Sequence, residues 1–263
     1  MLSHTFAGSQ SGSLLVFLHA AGTTSWMWDT VVERLQHRRC MLIDLPGHGG
    51  SRATRWQSLD ETARLVHQTI SMAEPQKDVH LVGLSLGAYV AMTLLAQRPT
   101  AYASATLSGM HAGAMPNATM MRLITRIMTP LTVRPFMARK TAKFLGGSGT
   151  DVDAYVRQAR KVDVPSLRQA GLDAIAFEMP ANALPIATRV MVAAGSKEHP
   201  HILETQQTIV SALPNAQGHI APGLGHGWSM EDPDQFAAMI DRQIQGEAGQ
   251  TPDSSAHLPA AMA

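Results

Sequence analysis

The chain has 263 residues, 45% hydrophobic and 16% charged, with a formal net charge of +1 and one cysteine. That is enough to bury the core of one large domain, or of one domain with an insertion. A near-neutral balance gives nucleic acid or an acidic surface no electrostatic hold, no stretch approaches the ~18 apolar residues of a membrane span, and one cysteine cannot close an internal disulfide.

The start, MLSHTFAGSQSGSLLVFLHAAG, lacks a basic leading region. Its apolar part, Leu14 to Leu18, is too short for a signal peptide and reads as a strand. Cys40, at the head of another apolar run, reads as a buried inert thiol, and together these features point to the cytoplasm. Three short apolar runs end in loops of small residues: SLLVFLHAAGTT, CMLIDLPGHGGS and VHLVGLSLG. Helical segments, Trp28 to Gln36 and Ser58 to Met72, separate them. Three further runs follow: SATLSGMH, TRVMVAAGS from Thr188, and GHIAPGLGH near Gly218. Such alternation predicts an α/β fold, a mostly parallel sheet flanked by helices, with ligands bound beyond the carboxyl ends of the strands.

Residues 111–185 break the alternation and are rich in Met and Arg. NATMMRLITRIM predicts an amphipathic helix capped by Asn117, with Met121, Ile124 and Met128 on one face, interrupted by Pro130 and Pro135. RPFMARKTAKFLGG, DVDAYVRQARKV and PSLRQAGLDAIAFE predict further helices. The segment reads as a helical lid inserted into a core formed by residues 1–110 and 186–246, its apolar face turned towards a substrate pocket. Residues 247–263 have little to bury and are expected to form a disordered tail.

Ser85 sits in HLVGLSLGAYVAM, between a buried strand and a helix from Leu86 to Gln97. The tight strand-to-helix turn of a G-x-S-x-G frame needs residues without bulk two before and two after the serine. A serine nucleophile needs a base, and the base an acid to hold its tautomer. Of the 12 histidines, His226 lies in a glycine-flanked loop after the last run, PGLGHGWSMEDP. His48, after an early strand, reads as a turn or packing residue. Glu198 follows the fifth run, whereas the fourth ends without a carboxylate; Asp173 and Glu178 lie in the lid. Backbone N–H groups of Leu86, at the helix start, and Ala21, in HAAGTT, are the candidate oxyanion donors. His19 is expected to brace that loop. Trp26 and Trp228, with Met121 and Ile124 of the lid, are candidate pocket residues.

Taken in order, HAAG, DLPGHGGS, GLSLG, GSKE and GHGW resemble the α/β-hydrolase superfamily over about residues 12–245. The resemblance implies an eight-stranded, mostly parallel sheet with a lid and a Ser-His-Glu triad. The family's loop usually reads His-Gly where this chain has His-Ala, and its acid is more often Asp. Serine at 85 argues against the dehalogenase and epoxide-hydrolase branches, which need Asp there. The expected activity is hydrolysis of a small, largely apolar carboxylic ester, thioester or lactone, resembling a carboxylesterase. A ligand receptor with little turnover, or a lyase or carbon–carbon bond hydrolase with the same triad, stays open. No metal or organic cofactor is expected, since the histidines show no H-x-x-x-H or H-E-x-x-H pattern. The sequence leaves the oligomeric state open.

Overall fold

The computed structural model describes residues 1–75, 78–145, 150–180 and 186–246. The tail expected over 247–263 lies outside them. Six parallel strands carry the apolar runs: β2 (Leu14–Leu18), β3 (Arg39–Ile43), β4 (Val79–Leu84), β5 (Ser104–Ser108), β6 (Arg189–Gly195) and β7 (Ala216–Ala221). Every residue of β2, β4 and β5 is buried. Alternate residues of β2 enter different cores: Leu14, Val16 and Leu18 join one hydrophobic cluster, Leu15 and Phe17 the other. Covering on both faces is what makes β2 a continuous apolar run.

On one face lie α2 (Leu59–Ala73), α3 (Leu86–Gln97) and α8 (Pro200–Ala212); on the other lie α1 (Asp29–Arg34) and α10 (Pro233–Gln245). Ser58 caps α2 by accepting from Glu61 N at 3.1 Å, one half of a capping box. Among the described residues the sheet has seven strands in the order β1-β3-β2-β4-β5-β6-β7, one fewer than the resemblance implies. The segment before β2 supplies only β1 (His4–Gly8), an antiparallel edge strand on β3.

Among the described residues, four helices lie between β5 and β6: α4 (Ala118–Thr132), α5 (Pro135–Phe144), α6 (Thr150–Ala159) and α7 (Val164–Ile175). Residues of α5 and α6, including Ala138, Ala142, Tyr155 and Val156, form a small core of their own. Two local expectations are corrected. Asn117 takes a left-handed conformation, φ 56°, and its side chain makes no capping bond. Pro130 lies inside α4 rather than ending it; so close to the carboxyl end, its missing N–H forfeits a single helical bond. Pro135 does separate the helices, as the first residue of α5.

Packing is close at the turn after β4. A methyl group on Gly87 would fall 2.0 Å from Leu18 O, and one on Gly83 would fall 2.4 Å from Gly87 O. Gly113, by comparison, has nothing within 4 Å of that position. Gly87→Ala is therefore expected to lower stability by more than about 2 kcal/mol in urea unfolding, and Gly113→Ala by less than about 0.5 kcal/mol. Equal effects would show that α3 is free to shift away from β2.

Candidate active site

Ser85 occupies the one-residue turn between β4 and α3, at φ 53° and ψ −115°. Only Ser85 and Asn117 among the described non-glycine residues have positive φ. The turn is held by backbone bonds: Ser85 N–H donates to Ser108 O at 2.8 Å, and Ser85 O accepts from Ala88 N at 2.9 Å and Tyr89 N at 3.1 Å. Positive φ in a residue with a Cβ is sparsely populated and persists only where the surroundings over-determine it. The close contacts of Gly83 and Gly87 provide that determination.

The bond to Ser108 ties the serine turn to the next strand end, where Gly109 follows at φ 65°. A methyl group on Gly109 would lie 3.0 Å from His226 Cε1 and 3.1 Å from Glu198 Oε1. The imidazole and the carboxylate thus rest against the residue next to the one that holds Ser85. His226 Nδ1 donates to Glu198 Oε1. Because a carboxylate only accepts, the proton sits on Nδ1 and Nε2 is left as the basic nitrogen. The Glu198 side chain is 2% exposed and that of His226 19%. Backbone bonds fix both loops to the end of β6: Glu198 N donates to Gly195 O at 3.0 Å and Lys197 N to Leu224 O at 2.9 Å. The hydroxyl of Ser85 and Nε2 of His226 form no hydrogen bond among the described residues. Asp173, in α7, instead accepts from Trp56 Nε1 at 2.8 Å.

The loop after β2 is held by two buried histidines. His19 Nε2 accepts from Leu45 N at 2.9 Å and its Nδ1 donates to Ala20 O at 2.8 Å. His48 Nδ1 donates to Pro46 O at 2.9 Å, and its Nε2 accepts from Gly22 N at 3.2 Å. His19 braces the loop as expected, and His48 does more than hold its own turn. Ala20 N donates to Met27 Sδ at 3.2 Å and Thr23 N to Ala20 O at 3.3 Å. Of the amides from Ala20 to Thr23, that of Ala21 alone is uncommitted among the described residues, as is that of Leu86 at the start of α3. Burial, reinforced by neighbouring His19, lowers the His48 pKa to about 3, so the ring is neutral and serves as an acceptor.

A cavity of about 210 Å³ opens beside Ala21 and Gly22, walled by Thr125, Thr129, Thr132 and Val133 of the α4 region and by Tyr155, Leu167 and Gly171. None of the four expected pocket residues lines it. Trp228 is fully buried, and its Nε1 donates to Ser108 Oγ at 2.9 Å, so it packs beneath the His226 loop. Trp26 is half-buried, packs on both the main core and the α5–α6 core, and borders a different cavity with Asp44 and Lys161. Ile124 points outward, 51% exposed, and Met121 is half-buried outside the cavity wall. The reason lies in the packing of α4 on α7. Thr125 Cγ2 would come within 3.2 Å of a methyl group on Gly171, a close approach that needs small residues and turns the threonine face inward. The inserted helices also touch the His226 loop: a methyl group on Gly227 would meet Leu145 O at 2.2 Å. Among the described residues, no group of three His, Cys, Asp or Glu is placed to hold a metal ion.

A parallel sheet with a strained serine at one strand end and a carboxylate-bound histidine beside it defines a recognisable class. The chain belongs to the alpha/beta hydrolase family, whose sequence model matches residues 15–239. It is similar to an esterase from Thermogutta terrifontis, with a TM-score of 0.78 and 19% identity over 93% of both chains. It is similar also to an enol-lactonase from Burkholderia xenovorans LB400, with a TM-score of 0.78 and 16% identity over 93% of this chain and 96% of that one. In sequence it is 35% identical over 99 residues to 2-succinyl-6-hydroxy-2,4-cyclohexadiene-1-carboxylate synthase of Escherichia coli O9:H4 (strain HS), a match spanning 38% of this chain and 39% of that relative.

The state of His48 has a consequence for stability. Its pKa falls from the ordinary 6.5 to about 3 on folding. The unfolded chain therefore takes up a proton first, so the contribution is complete above about pH 6.5 and is lost as pH falls towards 3. Between those limits the wild type should lose about 1.4 kcal/mol more per pH unit than His48→Gln, read from urea unfolding at several pH values. Parallel slopes would mean that His48 is not buried as a neutral acceptor.

Proposed function

We propose that the protein is a serine hydrolase of small, uncharged, largely apolar carboxylic esters, thioesters or lactones. The observation that carries this reading is the positive-φ Ser85 turn, hydrogen-bonded to Ser108, beside a histidine whose Nδ1 is held by buried Glu198. In this mechanism Ser85 Oγ attacks the substrate carbonyl carbon while His226 Nε2 takes the hydroxyl proton. The carbonyl oxygen becomes an oxyanion and accepts from the N–H groups of Ala21 and Leu86. Collapse breaks the bond to the leaving alcohol or thiol, which receives its proton from His226, and Ser85 is left acylated. Water, deprotonated by His226, then attacks the acyl carbon and restores the serine. Glu198 fixes the tautomer and stabilises the imidazolium formed in each half-reaction. The cytoplasm remains the proposed compartment.

The cavity supports an uncharged substrate. Its walls present threonine and tyrosine hydroxyls and small aliphatic groups, with no charged side chain. A second reading is favoured by the 99-residue match to the Escherichia coli synthase. That relative's name describes a succinyl-bearing carboxylate, whose recognition calls for cationic or multiple charge-assisted donors. The neutral cavity supports the ester reading over this one. We further propose that α4–α7 act as the lid of this site, since they supply most of the cavity wall.

Ser85→Ala should abolish turnover of para-nitrophenyl esters with the fold intact by circular dichroism, and Glu198→Gln should lower kcat by roughly 10²–10⁴-fold. Stabilisation by an ester or lactone without turnover in the wild type would instead mark a receptor. In a series of acyl chains, kcat/KM should rise about fourfold per methylene until the cavity is full. Thr129→Leu, which fills part of that space, should cut off the rise at a shorter chain while sparing acetate esters. An unchanged profile in the folded variant would place the acyl group elsewhere.

A further inference from the structure

The apolar residues of α4 face away from the cavity. Met120, Leu123, Ile124, Ile127 and Leu131 follow the spacing of one helical stripe, and Phe136 is exposed at the start of α5. Exposures are 60% for Met120, 55% for Leu123, 61% for Ile127 and 68% for Phe136. These six make up most of the large exposed hydrophobic side chains among the described residues. A contiguous apolar surface of this kind marks an interaction site.

The charge around it is of one sign. Arg122 and Arg126 stand on the polar side of α4, Arg134 precedes α5, and Arg139, Lys140 and Lys143 lie on α5; all six are exposed, and no Asp or Glu occurs between His111 and Asp151. Arg139 is paired with Asp153 of α6 at 2.8 Å, and Lys140 Nζ lies 4.8 Å from the Phe136 ring centroid. Arg122, Arg126, Arg134 and Lys143 form no ion pair among the described residues. An overall charge of +1 therefore hides a strongly basic local surface.

We infer that this face seats on an anionic lipid surface. An apolar stripe on one side and unpaired arginines on the polar side are what an interfacial helix needs: the first enters the acyl boundary, the second reach the headgroup phosphates by their long side chains. A second copy of the chain suits the face poorly. A two-fold contact would set the same basic flanks against each other with no acid to compensate. The opposite face of α4, with Thr125, Thr129 and Thr132, walls the cavity. Seating would thus bring the cavity to a source of apolar esters; that consequence rests on the hydrolase reading, but the lipid contact itself does not.

The test is flotation of the full chain with vesicles of phosphatidylcholine alone and of phosphatidylcholine mixed with phosphatidylglycerol. Partitioning should be roughly tenfold or more in favour of the anionic vesicles at low salt, and most of that preference should vanish at high salt. Leu123→Ser with Ile127→Ser should weaken anionic binding roughly tenfold. Arg122→Gln with Arg126→Gln should remove most of the preference between the two vesicle types. These side chains are exposed, and urea unfolding of each variant checks that the fold is kept. No anionic preference, or unchanged binding in both folded double variants, overturns the inference. So does a dimer of the wild type, by sedimentation, that either double variant dissolves.

Discussion

Ser85 is held at φ 53° by the packing of two glycines, and the candidate site depends on that constraint. Such a conformation costs a residue with a Cβ of order 1–3 kcal/mol. It persists because α3 presses so close to β2 and β4 that the chain has no wider path from strand to helix. Leu18 O fills the space where a side chain on Gly87 would be, and Gly87 O fills that of Gly83. The strain is thus supported by the whole α3–sheet contact. Any change that lets the helix retreat would relax the turn and withdraw the serine from the sheet edge.

The remaining parts are attached to the same edge through neighbouring backbone. Ser85 bonds to Ser108, Gly109 supports His226 and Glu198, and Trp228 binds Ser108 Oγ from below. On the other side, His48 holds Gly22 while His19 holds Leu45, so the loop carrying Ala21 is locked to the turn after β3. Two imidazoles buried for this purpose stay neutral because burial lowers their proton affinity. The inserted helices join the assembly at several points: Thr24 donates to Gln158 of α6 at 3.3 Å, Asp163 N donates to Gly47 O at 2.7 Å, and Leu145 abuts Gly227. The cavity wall and the candidate site are therefore joined by short local contacts rather than through one long interface.

Much of this was legible in the residues. Strands covered on both faces tend to be continuous apolar runs, and Leu14–Leu18 and Leu81–Leu84 are. The glycines around Ser85 and those around His226 marked the two turns, and the lack of a carboxylate after β5 directed attention to Glu198. What escaped notice had weaker signals. β1 is an exposed edge strand, with Thr5 and Phe6 facing solvent, so it carries no apolar run. Nothing in the sequence marks Gly109 out from other glycines after strands; its place under His226 follows only from the fold. The cavity wall was missed because amphipathic reading sends apolar residues inward, whereas α4 packs through threonines and leaves its apolar stripe outside. Trp228 was assigned to the pocket by its place beside His226, but a large ring next to such a loop can equally be the core that holds it.

The central claim is that Ser85 is a nucleophile activated by His226 and Glu198. The most direct measurement is reaction with a fluorophosphonate ester, followed by intact-mass and peptide mass spectrometry of the wild type and His226→Ala. The account predicts a single adduct on the peptide containing Ser85 in the wild type, and little or none in His226→Ala over the same time. An adduct on another residue, or equal labelling of Ser85 without His226, would contradict it.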